Sequence, residues 1–509
     1  MSNLKDIKLT ESQQSVLDKI KTFIESKDRV FILKGYAGTG KTTLMRFLIE
    51  YLKEKNKSYK LLTPTGRAAK ILANYTGSTA NTIHSLIYRY QSFNRDIENI
   101  DDIYSKDSET KQLTLNFAPL RRQEVELREA QKRGRYDKKP TIKEVIYIID
   151  EASMVSDFAS KKVVQAQFGS GRLLLETFYY DTLPASKFIF VGDPCQLPPI
   201  MASFSPALDN AYIKGKFNYS SQETQLTQIM RQKDDNTIIQ AATSIRKLWE
   251  NAPVNQMEYG KNRVWGFLPI KKYKDINLMP NLESMEESYL QDVKQNGYNH
   301  SIFICRSNKD CALVSQRIRQ QLGFKKTIEE GDILMVVQNQ YTTGLMNGDM
   351  VEVVGVESGQ IHTPYNKYQT HMSFKRVTVR ELFTQKESTT LLIEETLTTP
   401  TNNLNSDQQT SLFVDFITRM KKEGITEKKQ SERFKNNLYN DPYLNALRCS
   451  YGYAVTCHKA QGGEWNNVYI HFGARNLTLN PTKSTYQWVY TALTRAKEKV
   501  FMVNDFYIK

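Results

Sequence analysis

The stretch FILKGYAGTGKTTLMRFL, Phe31 to Leu48, constrains this chain more than any other. An apolar run enters a glycine-rich turn and leaves it through Gly-Lys-Thr-Thr into a helical pattern. Gly35, Ala37, Gly38, Thr39, Gly40, Lys41, Thr42 and Thr43 lie in or next to a G-x-x-x-x-G-K-[ST] loop between a strand and a helix. Glycines there let backbone amides curl around phosphate oxygens, and the following helix start adds positive potential. Lys41 is expected to reach the β and γ phosphates and the Thr42 hydroxyl to sit on Mg²⁺.

Further buried-type strands follow, each handing over to a turn: YKLLTPTG, VIYIIDEAS and KFIFVGDPCQ. Alternating with helical segments, they predict a parallel, doubly wound α/β sheet. Upstream, LTESQQSVLDKIKTFIES reads as a helix capped by Thr10, with Gln13 at its third position as in a capping box. VIYIIDEAS places Asp150 and Glu151 at a strand end. Beside a P-loop, Asp150 is expected to hold Mg²⁺ and Glu151 to orient or deprotonate water.

A polar interruption, about 90–140, separates the second and third strands and reads as an inserted subdomain. Its run Lys132, Arg133, Arg135, Lys138, Lys139 fits a solvated loop or a DNA-facing edge equally well. A second strand series begins after Leu226 and is itself interrupted at about 342–447. There NGDMVEVVGV, MSFKRVTVREL and TTLLIEETL alternate like antiparallel strands, and LFVDFITRMKKEG is helical by spacing.

The chain has 509 residues and a net charge of +15, which suggests several domains and favours a polyanionic partner. Its five cysteines include no CxxC pair, so neither a disulfide framework nor a zinc site is indicated. The N-terminus lacks an apolar leader segment and no run reaches membrane-span length. A cytoplasmic setting and no membrane partner are expected.

Seven further elements fall in a known order: LTPTGRAAKIL, TANTIHSLI, DEAS, VGDPCQLPP, LTQIMRQ, TCHKAQGGEW and YTALTRAKEKV. The set resembles superfamily 1 DNA helicases of the 5′-to-3′ branch, RecD-like and phage Dda-like. That resemblance implies two tandem RecA-like P-loop NTPase domains with two inserts, a pin-bearing 1B and an SH3-like 2B. It divides the chain into domain 1A (1–89 and 141–228), 1B (90–140), domain 2A (229–341 and 448–509) and 2B (342–447).

The resemblance also assigns roles. Gln13 would read adenine, Gln196 would sense the γ-phosphate, and Arg231 and Arg495 would be presented to it by the second domain, a task suited to guanidinium groups. Glu464 matches a ribose-contacting position. Pro64, Thr65, Arg67, Thr82 and His84 match backbone-contacting segments of the first domain, and Thr456, His458 and Lys459 those of the second. ATP, Mg²⁺, single-stranded DNA and its junctions with duplex are the implied ligands, with action as a monomer and replication or repair proteins as further partners. Polarity comes with the resemblance alone. A DNA-stimulated translocase or remodeller without unwinding, and an RNA helicase, remain open on the residues themselves. The inserts leave no room for a fused nuclease.

Overall fold

The computed structural model describes residues 7–97, 113–132, 143–159, 166–229, 236–340, 342–357, 372–399, 403–473 and 479–509. Arg231 and four members of the basic run (Arg133, Arg135, Lys138, Lys139) lie outside them, and nothing is described of the Lys132 side chain.

Six parallel strands form the first sheet, in the order Ala80–Thr82, Tyr59–Thr63, Ile146–Ile149, Lys187–Gly192, Val30–Gly35, Ser221–Leu226. The four central strands are apolar because helices cover both faces of a doubly wound sheet. Phe31 and Leu33 meet Val16, Ile20 and Phe23 of the helix Glu11–Glu25 on one face. Val30 and Ile32 contribute to a separate core on the other face. The predicted capping box is formed: Thr10 Oγ1 accepts from the Gln13 amide (3.3 Å), and Gln13 Oε1 accepts from the Thr10 amide (3.1 Å).

A second parallel sheet has the order Ile276–Met279, Ala496–Val503, Trp465–His471, Ser301–Cys305, Ala454–Thr456. Both large sheets are thus parallel and belong to a mixed α/β architecture.

The interruptions build two smaller sheets. Tyr88–Phe93 pairs antiparallel with Leu115–Pro119, and Ala166–Phe168 adds in parallel, from beyond residue 140. The larger one orders Glu387–Ile393, Phe374–Glu381, Met350–Val356, Ile333–Val336 and Cys449–Tyr451, antiparallel throughout. Its alternation is legible: Val351, Val353, Val377 and Val379 turn inward, while Glu352 and Thr378 between them do not. The last two strands in this order, Ile333–Val336 and Cys449–Tyr451, come from the chain flanking 342–447.

The two inserts touch. Phe93 meets Phe413 edge-to-face at 5.1 Å and Phe434 at 6.5 Å, Tyr90 donates to Glu427, and Lys428 pairs with Asp96 at 2.9 Å. Phe413 belongs to the helix Ser406–Lys422, predicted by spacing, and Phe434 to Ser431–Asn440. Both sit in the core that also holds one face of the first sheet.

Candidate nucleotide and nucleic-acid site

In a parallel sheet, ligands bind beyond the carboxyl ends of the strands. There the first sheet delivers its chemistry: the loop after Val30–Gly35, Asp150 and Glu151 after Ile146–Ile149, and Asp193 to Gln196 after Lys187–Gly192. The second sheet faces this edge with its amino ends, since Glu464 and Arg495 immediately precede two of its strands. Between them lies a cleft of about 690 Å³, lined among others by Lys41, Thr42, Asp150, Glu151, Gln196, Glu464 and Arg495.

The loop has the expected geometry. Gly38 and Gly40 both take φ of +79°, open to glycine without strain. A Cβ on Gly35 would stand 2.9 Å from Thr39 Oγ1 and 3.0 Å from the Lys41 stem. Lys41 Nζ donates back to the Gly35 and Tyr36 carbonyls at 2.8 and 3.0 Å. Thr43 Oγ1 lies 3.3 Å from the Tyr75 hydroxyl. Gln13, buried, donates to the Thr39 carbonyl at 3.2 Å. Its carboxamide therefore serves the helix cap and also braces the loop.

The carboxylates are held out of water. Burial, then repulsion from Glu151, pushes Asp150 up to about 7, with Lys41 opposing. Burial also raises Glu151, against the pull of Arg495 and Lys41. Glu151 takes φ of +51°, a left-handed backbone that a non-glycine residue adopts only under tertiary constraint. Arg495 is buried and donates to the carbonyls of Thr491 (3.1 Å) and Gly463 (3.2 Å) and to Thr494 Oγ1 (3.2 Å). Gln196 is buried, and its Oε1 has no hydrogen-bond partner among the described residues. An acceptor left open in a cleft wall fits a bound water, and the loop amides and adjacent acids beside it fit a nucleotide phosphate with a divalent cation.

Of the residues matched to DNA contact, several have structural tasks. Thr65 and Thr82 cap the helices Gly66–Thr76 and Ile83–Ile87 through their hydroxyls. Pro64 is half-buried beside the first of these caps. The Arg67 guanidinium lies 4.5 Å from the Trp465 ring, inside the cleft wall, and burial lowers it to about 10. His84 packs against Tyr88 (5.5 Å) and Phe168 (5.2 Å), and burial lowers it to about 4. Thr456 ends the strand Ala454–Thr456 and His458 and Lys459 follow it, at the opposite end of the second sheet from Glu464 and Arg495. Burial lowers both His458 and Lys459.

Residues not singled out in the sequence complete the junction. Tyr490 spans Ala37 and Asp193, and Trp465 receives Arg67. Lys70 joins Asp349 (2.5 Å) and Glu381 (2.9 Å) of the antiparallel sheet and its turn. Tyr490 lay within YTALTRAKEKV and Asp193 within VGDPCQLPP, so the signal was present. Their partnership was not, because it depends on how the two sheets meet.

Among the described residues no helix is long and apolar enough to cross a membrane, and the five cysteines are buried and free.

An AAA domain matches residues 8–258, and a UvrD-like helicase C-terminal domain matches 451–503. The ATP-dependent RecD2 DNA helicase of Deinococcus radiodurans is 24% identical over 97% of this chain and 48% of its own length. The chain thus spans about half of that relative. The ATP-dependent DNA helicase dda of Enterobacteria phage T4 is 40% identical over 16% of this chain and 18% of its own. The RecBCD enzyme subunit RecD of Buchnera aphidicola is 22% identical over 97% and 73%. A crystal structure of Pif1 helicase from Bacteroides with ADP-AlF3 and ssDNA aligns at TM-score 0.48 and 18% identity, covering 99% of this chain and 94% of that one. With these sequence elements in order along the chain and both domain matches in place, the protein resembles the RecD- and Dda-like helicases of superfamily 1.

Proposed function

We propose that the chain is an ATP-driven DNA helicase that moves 5′ to 3′ on single-stranded DNA and opens duplex ahead of it. The observation that carries this reading is the cleft itself, in which Lys41, Asp150, Glu151, Gln196 and Arg495 converge from two parallel-sheet units. Such a cleft ties hydrolysis to the distance between two bodies, which is what a motor requires and a static binding module does not.

In this reading the two units are RecA-like motor domains. The loop amides and Lys41 bind and orient the triphosphate. Thr42 and Asp150 would hold Mg²⁺, which when bound neutralises phosphate charge. Glu151 orients and accepts a proton from the attacking water. Gln196, whose amide group can donate to a phosphate oxygen while its carbonyl accepts from water, senses the terminal phosphate. Arg495 stabilises developing charge and makes the reaction depend on closure, with Arg231 as its counterpart. Gln13 contributes adenine recognition and Glu464 ribose contact.

Thr456, His458 and Lys459, with the Pro64–Arg67 and Thr82–His84 segments, provide the track for the strand. The small three-stranded sheet acts as the 1B pin and the antiparallel sheet as an SH3-like 2B. Contact between Phe93 and Phe413 braces the first against the helix Ser406–Lys422 of the second insert.

The test is strand separation with ATP and Mg²⁺ on partial duplexes carrying a 5′ or a 3′ tail, alongside Lys41→Ala. Opening from the 5′ tail alone, lost in Lys41→Ala, is expected. Opening from the 3′ tail would overturn the polarity. ATP hydrolysis stimulated by single-stranded DNA without opening of either duplex would replace unwinding by translocation or remodelling.

A further inference from the structure

The segment Asp193–Leu197 leaves the first sheet but is held mainly by the second unit. Leu197 donates its amide to Thr491 Oγ1 at 3.0 Å and accepts from Gln461 Nε2 at 3.1 Å. Gln487 Nε2 donates to the carbonyls of Pro194 (3.3 Å) and Gln196 (3.2 Å). Asp193 Oδ1 takes the Cys195 amide at 2.9 Å, and its Oδ2 accepts from the Tyr490 hydroxyl at 2.8 Å. Thr491, Gln487 and Tyr490 belong to one helix, Lys483–Leu493. This segment is therefore tied to that helix, and it carries Gln196.

Tyr490 does one thing more. Its hydroxyl accepts the amide of Ala37, in the phosphate loop, at 2.9 Å. A phenol has one proton to give, and here it goes to Asp193, while an oxygen lone pair takes the loop amide. Tyr490 and Asp193 are 2% and 1% exposed, so water does not substitute for either bond. A phosphate oxygen seated in the loop needs the same class of donor that Tyr490 occupies.

The geometry points to Tyr490 as a positioning residue that couples the two units: its hydroxyl stands in for a phosphate oxygen at Ala37, and nucleotide entry releases it. Release frees Asp193 and the helix Lys483–Leu493 together, so occupancy of the loop is passed to Gln196 and to the second sheet. The bond order reverses when nucleotide leaves. This inference rests on the ATP-driven reading above.

Tyr490→Phe keeps the ring and deletes the competitor. One net hydrogen bond is worth about 1 kcal/mol, so a fluorescent ATP analogue is expected to bind about fivefold tighter without DNA. The change in that affinity on adding oligo-dT is expected to fall towards unity. Thr491→Val leaves the phenol in place and loosens only Leu197. Its DNA-free affinity should stay within twofold of wild type while the DNA effect shrinks.

Unchanged affinity and an intact DNA effect in Tyr490→Phe would overturn the proposal, as would weaker binding, which would make the hydroxyl a helper of nucleotide. Should Tyr490→Phe fail to fold by circular dichroism, Thr491→Val decides alone, because an undiminished DNA effect there refutes transmission through this segment. Lys41→Ala separates the two levels. If wild type binds the analogue no better than Lys41→Ala, the ATP-driven reading itself falls, and the coupling with it. If wild type binds and only the Tyr490 and Thr491 results fail, the coupling alone falls.

Discussion

Lys70 offers the most direct test of how the first unit meets the antiparallel sheet. Its ammonium lies 2.5 Å from Asp349 Oδ2 and 2.9 Å from Glu381 Oε1, with side-chain exposures of 25%, 2% and 6%. Asp349 also accepts the Met346 amide at 2.7 Å, and Glu381 accepts from Thr384. Lys70→Met keeps the aliphatic stem and removes the charge. Each pair gains about 6 kcal/mol of Coulomb attraction at an effective dielectric near 20, much of it offset by desolvation. What the variant leaves is two buried carboxylates facing each other without the cation that bridges them, with Arg67 as their remaining positive neighbour. Loss of one partner of a buried pair costs about 3–5 kcal/mol, and the partial exposure of Lys70 places the expectation near the lower end, about 3 kcal/mol.

The cost has a pH signature. Burial already raises Asp349, and Lys70, together with the Met346 amide, opposes the shift. Without Lys70, the folded-state value rises further above the unfolded one. Stability contributed by a raised group is fully present below the unfolded pKa and is lost as pH rises through the folded one. The deficit of Lys70→Met should therefore be larger at pH 8 than at pH 5. Urea unfolding of variant and wild type across that range, compared at the first transition because a multidomain chain need not be two-state, reads it directly. A deficit under about 1 kcal/mol, or one that does not change with pH, would refute the reasoning, since exposed pairs are worth no more than that.

Two more outcomes follow from the packing. His84 is held neutral with its value lowered to about 4, so it contributes stability above the unfolded value of about 6.5 that is lost as pH falls towards 4. His84→Phe should flatten the acid side of a thermal-midpoint profile, and an unaltered profile would remove His84 as its cause. Phe93→Ala should cost about 3 kcal/mol by opening a cavity against Phe413 and Phe434. Limited proteolysis should then cut the helix Ser406–Lys422 faster, and an unchanged rate would mean that the inserts are stable apart.

Much of the local design was legible beforehand. The glycine loop, the Thr10–Gln13 capping box, the acids at a strand end and the alternating valines of the antiparallel sheet each express short-range chemistry, and the structure forms all four. The edges of the inserts were less legible. Ala166–Phe168, Ile333–Val336 and Cys449–Tyr451 join the small sheets from outside the interruptions, because strand pairing is set by space and ignores where a polar stretch begins. Arg67 and His84 show a further limit. A cation and an imidazole in a nucleic-acid-like motif could equally face solvent, and only the positions of Trp465 and Phe168, remote in sequence, turned them onto aromatic rings.

By itself the sequence determined a phosphate loop, two series of buried parallel strands and the order of the helicase elements, since each depends on residues within a few positions of one another. The tertiary structure decided which end of each sheet faces which. Through that it decided that Tyr490 reaches Ala37 and Asp193, and that Lys70 finds two acids more than 250 positions away. The physical reason is that a short-range pattern fixes backbone conformation and apolar faces, whereas charge pairing and hydrogen bonding between units depend on how those faces come to rest together.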